Sequence, residues 1–212
     1  MVRAPAIPAH ERRLHAVQAL LELARDQAPD QISTAAIADR MGVSHAALFR
    51  HFPNRDAVWA ATVGWATGEL GTALASIDAG APESPRETLT KLLMAHARFV
   101  QRHPGLLRLL LAEWQRPDPS PARTTCIAFM ADYRARLSQL ILRGQALGEL
   151  EPNGDPGELA ALFLAMVNGL MLQSLVHNNL ESLPERLSTA MALMLDGLSH
   201  RRNRAQHAPT PE

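Results

Sequence analysis

The chain has 212 residues, 47% of them hydrophobic and only 4% aromatic, with 21 basic side chains against 21 acidic ones. That length and apolar content suffice for one substantial core plus a small domain, and the abundance of Ala and Leu over aromatics favours helices. A formal net charge of zero excludes bulk attraction to nucleic acid, so any such affinity has to come from locally placed cations and helix ends and has to fall with salt.

A single cysteine, Cys126, rules out an internal disulfide framework and fits a reducing cytoplasm. The opening MVRAPAIPAH has prolines and no apolar run, so it reads as a flexible arm and not as a secretory signal. Lys91 is the only lysine among the basic residues, a bias that suggests a GC-rich bacterial source. Leu14, Val17, Leu21, Ala24 and Ala28 then recur at spacings of three and four, the apolar stripe of a first helix. Residues 1–60 hold seven arginines and six acids, a net charge of +1.

ISTAAIADRMGVSHAALFRHF, residues 32–52, carries the most specific pattern. Ser33 or Thr34 caps a short helix whose inner face is Ile37, Ala38 and Met41. Gly42-Val43 makes a turn, with Gly42 suited to the left-handed residue that ends a helix, and Ser44 caps a second helix. Val43, Leu48 and Phe52 are expected to point inward, which leaves His45, Ala46, Phe49 and Arg50 on the outer face of a two-turn rod. Pro53 stops that helix, Asn54 caps the next, and Asp56 sits in its electropositive first turn.

This order of glycine, caps, aromatic-x-His-Phe and proline resembles the N-terminal domain of TetR-family transcription regulators. The resemblance implies a helix-turn-helix in which His45, Ala46, Ala47, Phe49 and Arg50 approach base edges in the major groove, while Thr34, Ser44, His51 and Arg55 hold phosphates. Arg50, able to pair bidentately with guanine, is the expected main discriminator. Phe49 departs from the tyrosine usual in the family, so a hydroxyl contact to phosphate is missing there.

From Asn54 a long helix is expected to about Ile77, with Val58, Trp59, Val63, Trp65, Leu70 and Leu74 along it and Gly64, Gly68 and Gly71 permitting close helix approach. A linker, AGAPESP over 79–85, precedes a helix from Ser84-Pro85 to about Arg102. His103-Pro104-Gly105 interrupts the run before a helix over 106–115, in which Glu113 reads as the charged end of a surface helix. A proline loop leads to a long helix over 122–146 ended by Gly148, and helices over 158–178 and 184–200 complete a count of about nine. Residues 159–176 are nearly long enough for a membrane span, but Asn168, Gly169 and Gln173 interrupt them and no basic flank anchors either end, so no membrane is expected.

The expectation is an all-α protein: a helix-turn-helix domain over 9–56, a helical effector-binding and dimerisation domain over 57–200, and a disordered tail over 201–212. The resemblance implies a cytoplasmic homodimeric repressor that binds a palindromic operator, dimerises through its last two helices, with Leu187, Met191, Leu195 and Leu198 facing the partner, and is released by a small hydrophobic effector. Candidate pocket walls are Trp65, His96, Phe99, Leu110, Trp114, Phe129, Met166 and Gln173. VSHAALFRHFP also resembles the nucleoid-occlusion branch of the family, which leaves open a DNA-binding organiser with a protein partner. His96 and His103 lack a third metal ligand at useful spacing. With no phosphate loop or nucleophile motif either, no enzyme activity, metal or cofactor is expected.

Overall fold

The computed structural model describes residues 8–79 and 84–205. Among these residues the secondary structure is helical throughout. Nine α-helices follow in order: α1 Ala9–Asp26, α2 Thr34–Arg40, α3 His45–Phe49, α4 Arg55–Ala79, α5 Pro85–Arg102, α6 Pro104–Trp114, α7 Pro121–Ala146, α8 Pro156–Val176 and α9 Leu183–Ala205. Short 3-10 turns at Pro29–Gln31 and Leu180–Ser182 precede α2 and α9. Prolines at the first position open α5, α6, α7 and α8, where a missing N–H costs nothing and the fixed φ already suits a helix.

The helices gather into two compact units, and the division falls inside α4 and inside α7. One unit comprises the described residues up to Glu69 together with His103–Phe129; the other comprises Leu70–Arg102 and the described residues from Met130. The expected boundary at 56/57 therefore differs from the compact division, since the start of α4 and all of α6 pack with the N-terminal helices.

In the first unit α1 buries Ala16, Val17, Leu20, Leu23 and Ala24, chiefly against α6. Gly105 makes the close crossing possible. A Cβ on it would sit 2.2 Å from the carbonyl oxygen of Leu21 and 3.2 Å from the carbonyl carbon of Ala24, both backbone atoms that cannot yield. Two expected stripe positions are not core: Leu14 is 38% exposed, and α1 ends at Asp26, so Ala28 is an exposed residue leading into the 3-10 turn. Nor do Gly64 and Gly68 mark close helix approaches, because an added Cβ there meets nothing within 4 Å.

The second unit packs α5, α8 and α9 together, with Leu89, Leu92, Leu93, Phe163, Val167, Leu187, Met191 and Leu195 buried. This corrects the expected dimer face, because Leu187, Met191 and Leu195 are enclosed by their own unit. What α8 leaves exposed is a different stripe, Leu162, Ala165, Gly169, Leu172 and Val176, repeating at three and four residues. On α9 Leu193 is 72% exposed. By length and mean hydropathy, 1.9, α8 could cross a membrane, but 39% of that window is buried inside the fold, and core helices pass the same test. Helix α9 continues to Ala205, so the first five residues of the stretch expected as a tail are helical. The remainder of that stretch, the side chain of Leu198, most of the opening arm and residues 80–83 of the linker lie outside the described residues.

Candidate nucleic-acid interface

Local hydrogen bonding fixes the helix-turn-helix. Ser33, with extended backbone, accepts the Ala36 N–H on its Oγ at 3.1 Å and so caps α2. At the other end Gly42 takes φ +67°, a conformation that costs a residue with a Cβ about 1 kcal/mol, and its turn returns the Val43 N–H to the Ala38 carbonyl at 3.0 Å. Ser44 then caps α3 by accepting the Ala47 N–H at 3.2 Å, and Asn54 opens α4 by accepting that of Ala57 at 2.9 Å. Helix α3 proper is five residues, shorter than the expected two turns. Helical hydrogen bonding nevertheless continues to the Phe52 N–H, which donates to the Leu48 carbonyl at 3.0 Å before Pro53 ends the run.

Packing beneath α3 is dry: Ile37, Ala38, Leu48 and Phe52 are each at most 2% exposed. Val43 departs from expectation at 38% exposed, because the left-handed turn aims it away from that core. His45, Ala46, Phe49 and Arg50 are exposed and, at offsets of one, four and five residues, share the face opposite Leu48. Ala47 is half-buried on the border of that face.

Three of the expected contact residues are brought together. Thr34 Oγ1 lies 2.9 Å from His45 Nε2, and the His45 ring meets Phe49 edge-to-face with centroids 4.5 Å apart. His51 is half-buried and receives the Arg12 guanidinium on Nε2 at a long 3.4 Å. Arg55 is engaged inside its own unit: its guanidinium donates to the Pro29 carbonyl and stacks 4.2 Å over the Trp59 ring. Ser44 Oγ already accepts from the backbone, and its hydroxyl proton remains for a second acceptor.

Sequence reasoning missed Arg12 and Arg13 of α1. The first reaches His51 and the second lies 5.5 Å over the Phe52 ring, which puts two cations beside the residues that follow α3. Two adjacent arginines just before the buried stripe of α1 were the available signal.

A polar network anchors the start of α4. The Arg116 guanidinium holds both carboxylate oxygens of Asp56, at 2.9 and 3.2 Å, and one of Glu113 at 3.3 Å. Glu113 is not a surface group as expected but 3% exposed, its second oxygen taking the Ser120 hydroxyl, while Ser120 also caps α7 by accepting the Arg123 N–H at 3.0 Å. The hydrogen bond from Arg116 holds the Asp56 carboxyl below its ordinary range. Asp56 and then Glu113 push the Arg116 guanidinium higher.

The eight candidate pocket residues divide between the two units. Trp65, Leu110, Trp114 and Phe129 belong to the first, where Trp65 meets His103 edge-on at 5.1 Å and Trp114 is 40% exposed. His96, Phe99, Met166 and Gln173 belong to the second. There Phe99 is buried, Met166 is half-buried, and Gln173 is an exposed acceptor for Arg186 at 2.7 Å. His96 is buried with its ring 5.6 Å from that of Tyr133 and Nδ1 without a hydrogen-bond partner, and burial pulls its pKa down to about 4. A depression of about 370 Å³ beside the α7–α8 loop, lined by Gln145–Gly148, Leu150 and Pro152, includes none of the eight. Among the described residues no group of three His, Cys, Asp or Glu could hold a metal ion.

Residues 16–62 match the family described as bacterial regulatory proteins, tetR family, and residues 85–200, more than half the chain, match the BetI-type transcriptional repressor C-terminal domain. The chain belongs to the TetR family. As a TetR-family transcriptional regulator it has similar relatives in the nucleoid occlusion factors SlmA. That of Shewanella sp. (strain W3-18-1) is 28% identical over 170 residues, covering 78% of this chain and 84% of the relative. That of Marinobacter nauticus is 27% identical over 173 residues, covering 82% and 88%. Among solved structures, a TetR-family regulator from Agrobacterium tumefaciens has a TM-score of 0.75 at 21% identity, covering 90% of this chain and 99% of that one. The fatty acid degradation regulator FadR from Bacillus halodurans has a TM-score of 0.75 at 16% identity, covering 92% and 98%. The two structures share the TetR fold with this chain.

Proposed function

We propose that this TetR-family regulator is a cytoplasmic repressor that grips a palindromic operator as a homodimer and lets go when a small hydrophobic effector binds its helical domain. The observation that carries the reading is the outer face of α3: His45, Ala46, Phe49 and Arg50 stand exposed on a short helix whose opposite side is sealed by Leu48, Ile37 and Phe52. Such a helix reads few base pairs, and a two-fold dimer doubles the site with half-sites about 34 Å apart. The stripe of Leu162, Ala165, Gly169, Leu172 and Val176 on α8, with Leu193 on α9, is the surface we assign to that dimer. An effector that prefers the released state by about 1 to 3 kcal/mol would lower operator affinity roughly 5- to 150-fold.

Within this reading Arg50 discriminates bases, Ala46 and Phe49 make apolar contacts, Ala47 stays at the margin, and Ser44 and His51 with Arg12 face phosphates. Arg55 is reassigned as a strut, since Pro29 and Trp59 hold its guanidinium. Selection of bound fragments from a random duplex pool, followed by a screen for compounds that release them, tests the proposal. A palindromic consensus and a two-protomer mass in sedimentation are expected; a monomer that selects no consensus refutes it. The likeness to SlmA relatives favours a second reading, a DNA-binding organiser with a protein partner, which predicts the same palindrome and no releasing compound.

A further inference from the structure

The resemblance assigns Thr34 to a phosphate, but within the protein its hydroxyl pairs with the His45 ring. We propose that Thr34 is a positioning residue for base discrimination: it fixes the His45 imidazole, and through it the Phe49 ring, in the attitude in which the outer face of α3 meets base edges. Thr34 is the first residue of α2 and His45 the first of α3, so a single side-chain hydrogen bond of 2.9 Å ties the two helix starts together across the turn. The imidazole is thereby held at two places, by Thr34 at Nε2 and by the Phe49 ring against its edge at 4.5 Å and 88°. With Nε2 engaged, Nδ1 is the ring nitrogen left for DNA.

The ordering matters because His45 is exposed and, without these contacts, its side chain would sample several rotamers before each encounter with a base. A ring held in one state makes its hydrogen bond or steric demand at one base only. A freely rotating one averages over several. Phe49 lacks the phenolic hydroxyl that the family pattern puts there, so nothing polar on it competes with His45 for the same ground.

The inference rests on the operator-binding reading and is tested in the full-length protein by Thr34→Val, which keeps the shape and loses the hydroxyl, and Thr34→Ser, which keeps the hydroxyl. Random-duplex selection and titration against the selected and a scrambled duplex are the measurements. Thr34→Val is expected to blur one base position in each half-site and to cut the ratio of specific to non-specific affinity roughly threefold to tenfold. Affinity for the scrambled duplex and the salt slope should stay unchanged, and Thr34→Ser should restore the ratio. In a His45→Ala background Thr34→Val should cost nothing further. Equal weakening on both duplexes would identify Thr34 as a phosphate contact and overturn the inference, as would additive losses with His45→Ala. A wild-type protein that selects no consensus at all defeats the operator reading itself, whereas a wild-type consensus left unblurred by Thr34→Val defeats this inference alone.

Discussion

Replacing Arg116 by methionine, which keeps an unbranched apolar stem and loses the charge, removes the guanidinium that bridges two carboxylates. Asp56 is the lesser loss, because its side chain is 43% exposed and water can replace its partner, a contribution below about 1 kcal/mol. Glu113 is different: at 3% exposure it would remain a buried carboxylate supported by the Ser120 hydroxyl. Stripping the partner from a buried ion costs about 3 to 5 kcal/mol. Since Arg116 is itself 35% exposed, some of that charge is already compensated by solvent, and we expect a loss of about 2 to 3 kcal/mol. In a chain of this size the loss lowers the thermal midpoint by roughly 4 to 12 °C. Urea unfolding of wild type, Arg116→Met, Asp56→Asn and Arg116→Met/Glu113→Gln at one protomer concentration is the assay, because association would otherwise shift the midpoints. Neutralising Glu113 should recover at least half of the loss. An Arg116→Met protein within 0.5 kcal/mol of wild type, on the scale of ordinary surface substitutions, would refute the claim that the burial of Glu113 sets the magnitude. So would an equal loss in Asp56→Asn.

Burial depresses the His96 pKa to about 4, so between about 6.5, the unperturbed value, and 4 the unfolded chain binds a proton that the folded one refuses. Acidification through that window should therefore destabilise wild type by about 2 to 4 kcal/mol more than His96→Phe, measured as stability against pH; parallel profiles would contradict it. Gly105→Ala should cost at least about 3 kcal/mol or force α6 away from α1, visible as a lowered midpoint with altered near-ultraviolet dichroism, because its methyl would strike the α1 backbone. Leu193→Glu and Val176→Glu, at positions 72% and 71% exposed, should leave helical content intact and shift sedimentation from dimer to monomer. Unchanged dimers would move the interface elsewhere. Ser44→Ala should lose about 1 kcal/mol from the cap of α3, read by urea unfolding, and Ser33→Ala a similar amount from that of α2.

Features determined within one turn of chain were readable in the sequence. Ser44, Gly42, Asn54 and the prolines work through their own backbone neighbours, so their spacing alone located the start of α3 and both ends of α2 and of α4 to α8 within a residue or two, while the end of α3 came three residues earlier than expected. Contacts between distant segments were not readable. Thr34 and His45 are eleven positions apart, Arg12 and His51 thirty-nine, Asp56 and Arg116 sixty, and no periodicity announces such meetings. Periodicity also names an apolar side without naming what covers it. On α9 the stripe Leu187, Met191, Leu195 turned out to be covered by the same chain, while Leu193 was left outside. Glu113 misled although its partners lie only three and seven residues on: a carboxylate at a helix end belongs on the surface unless the chain folds a cation and a hydroxyl back onto it, as it does with Arg116 and Ser120.

Gly105 has a bearing on anyone who wishes to borrow this protein's reading head. Leu20 and Ala24 find their floor in a helix that the chain delivers some eighty residues later, so a fragment excised near residue 60 would keep the helix-turn-helix and leave α1 with an uncovered greasy underside. Transplanting the operator preference onto another scaffold would require carrying the 103–129 stretch along with it, or redesigning the lower surface of α1 to live in water.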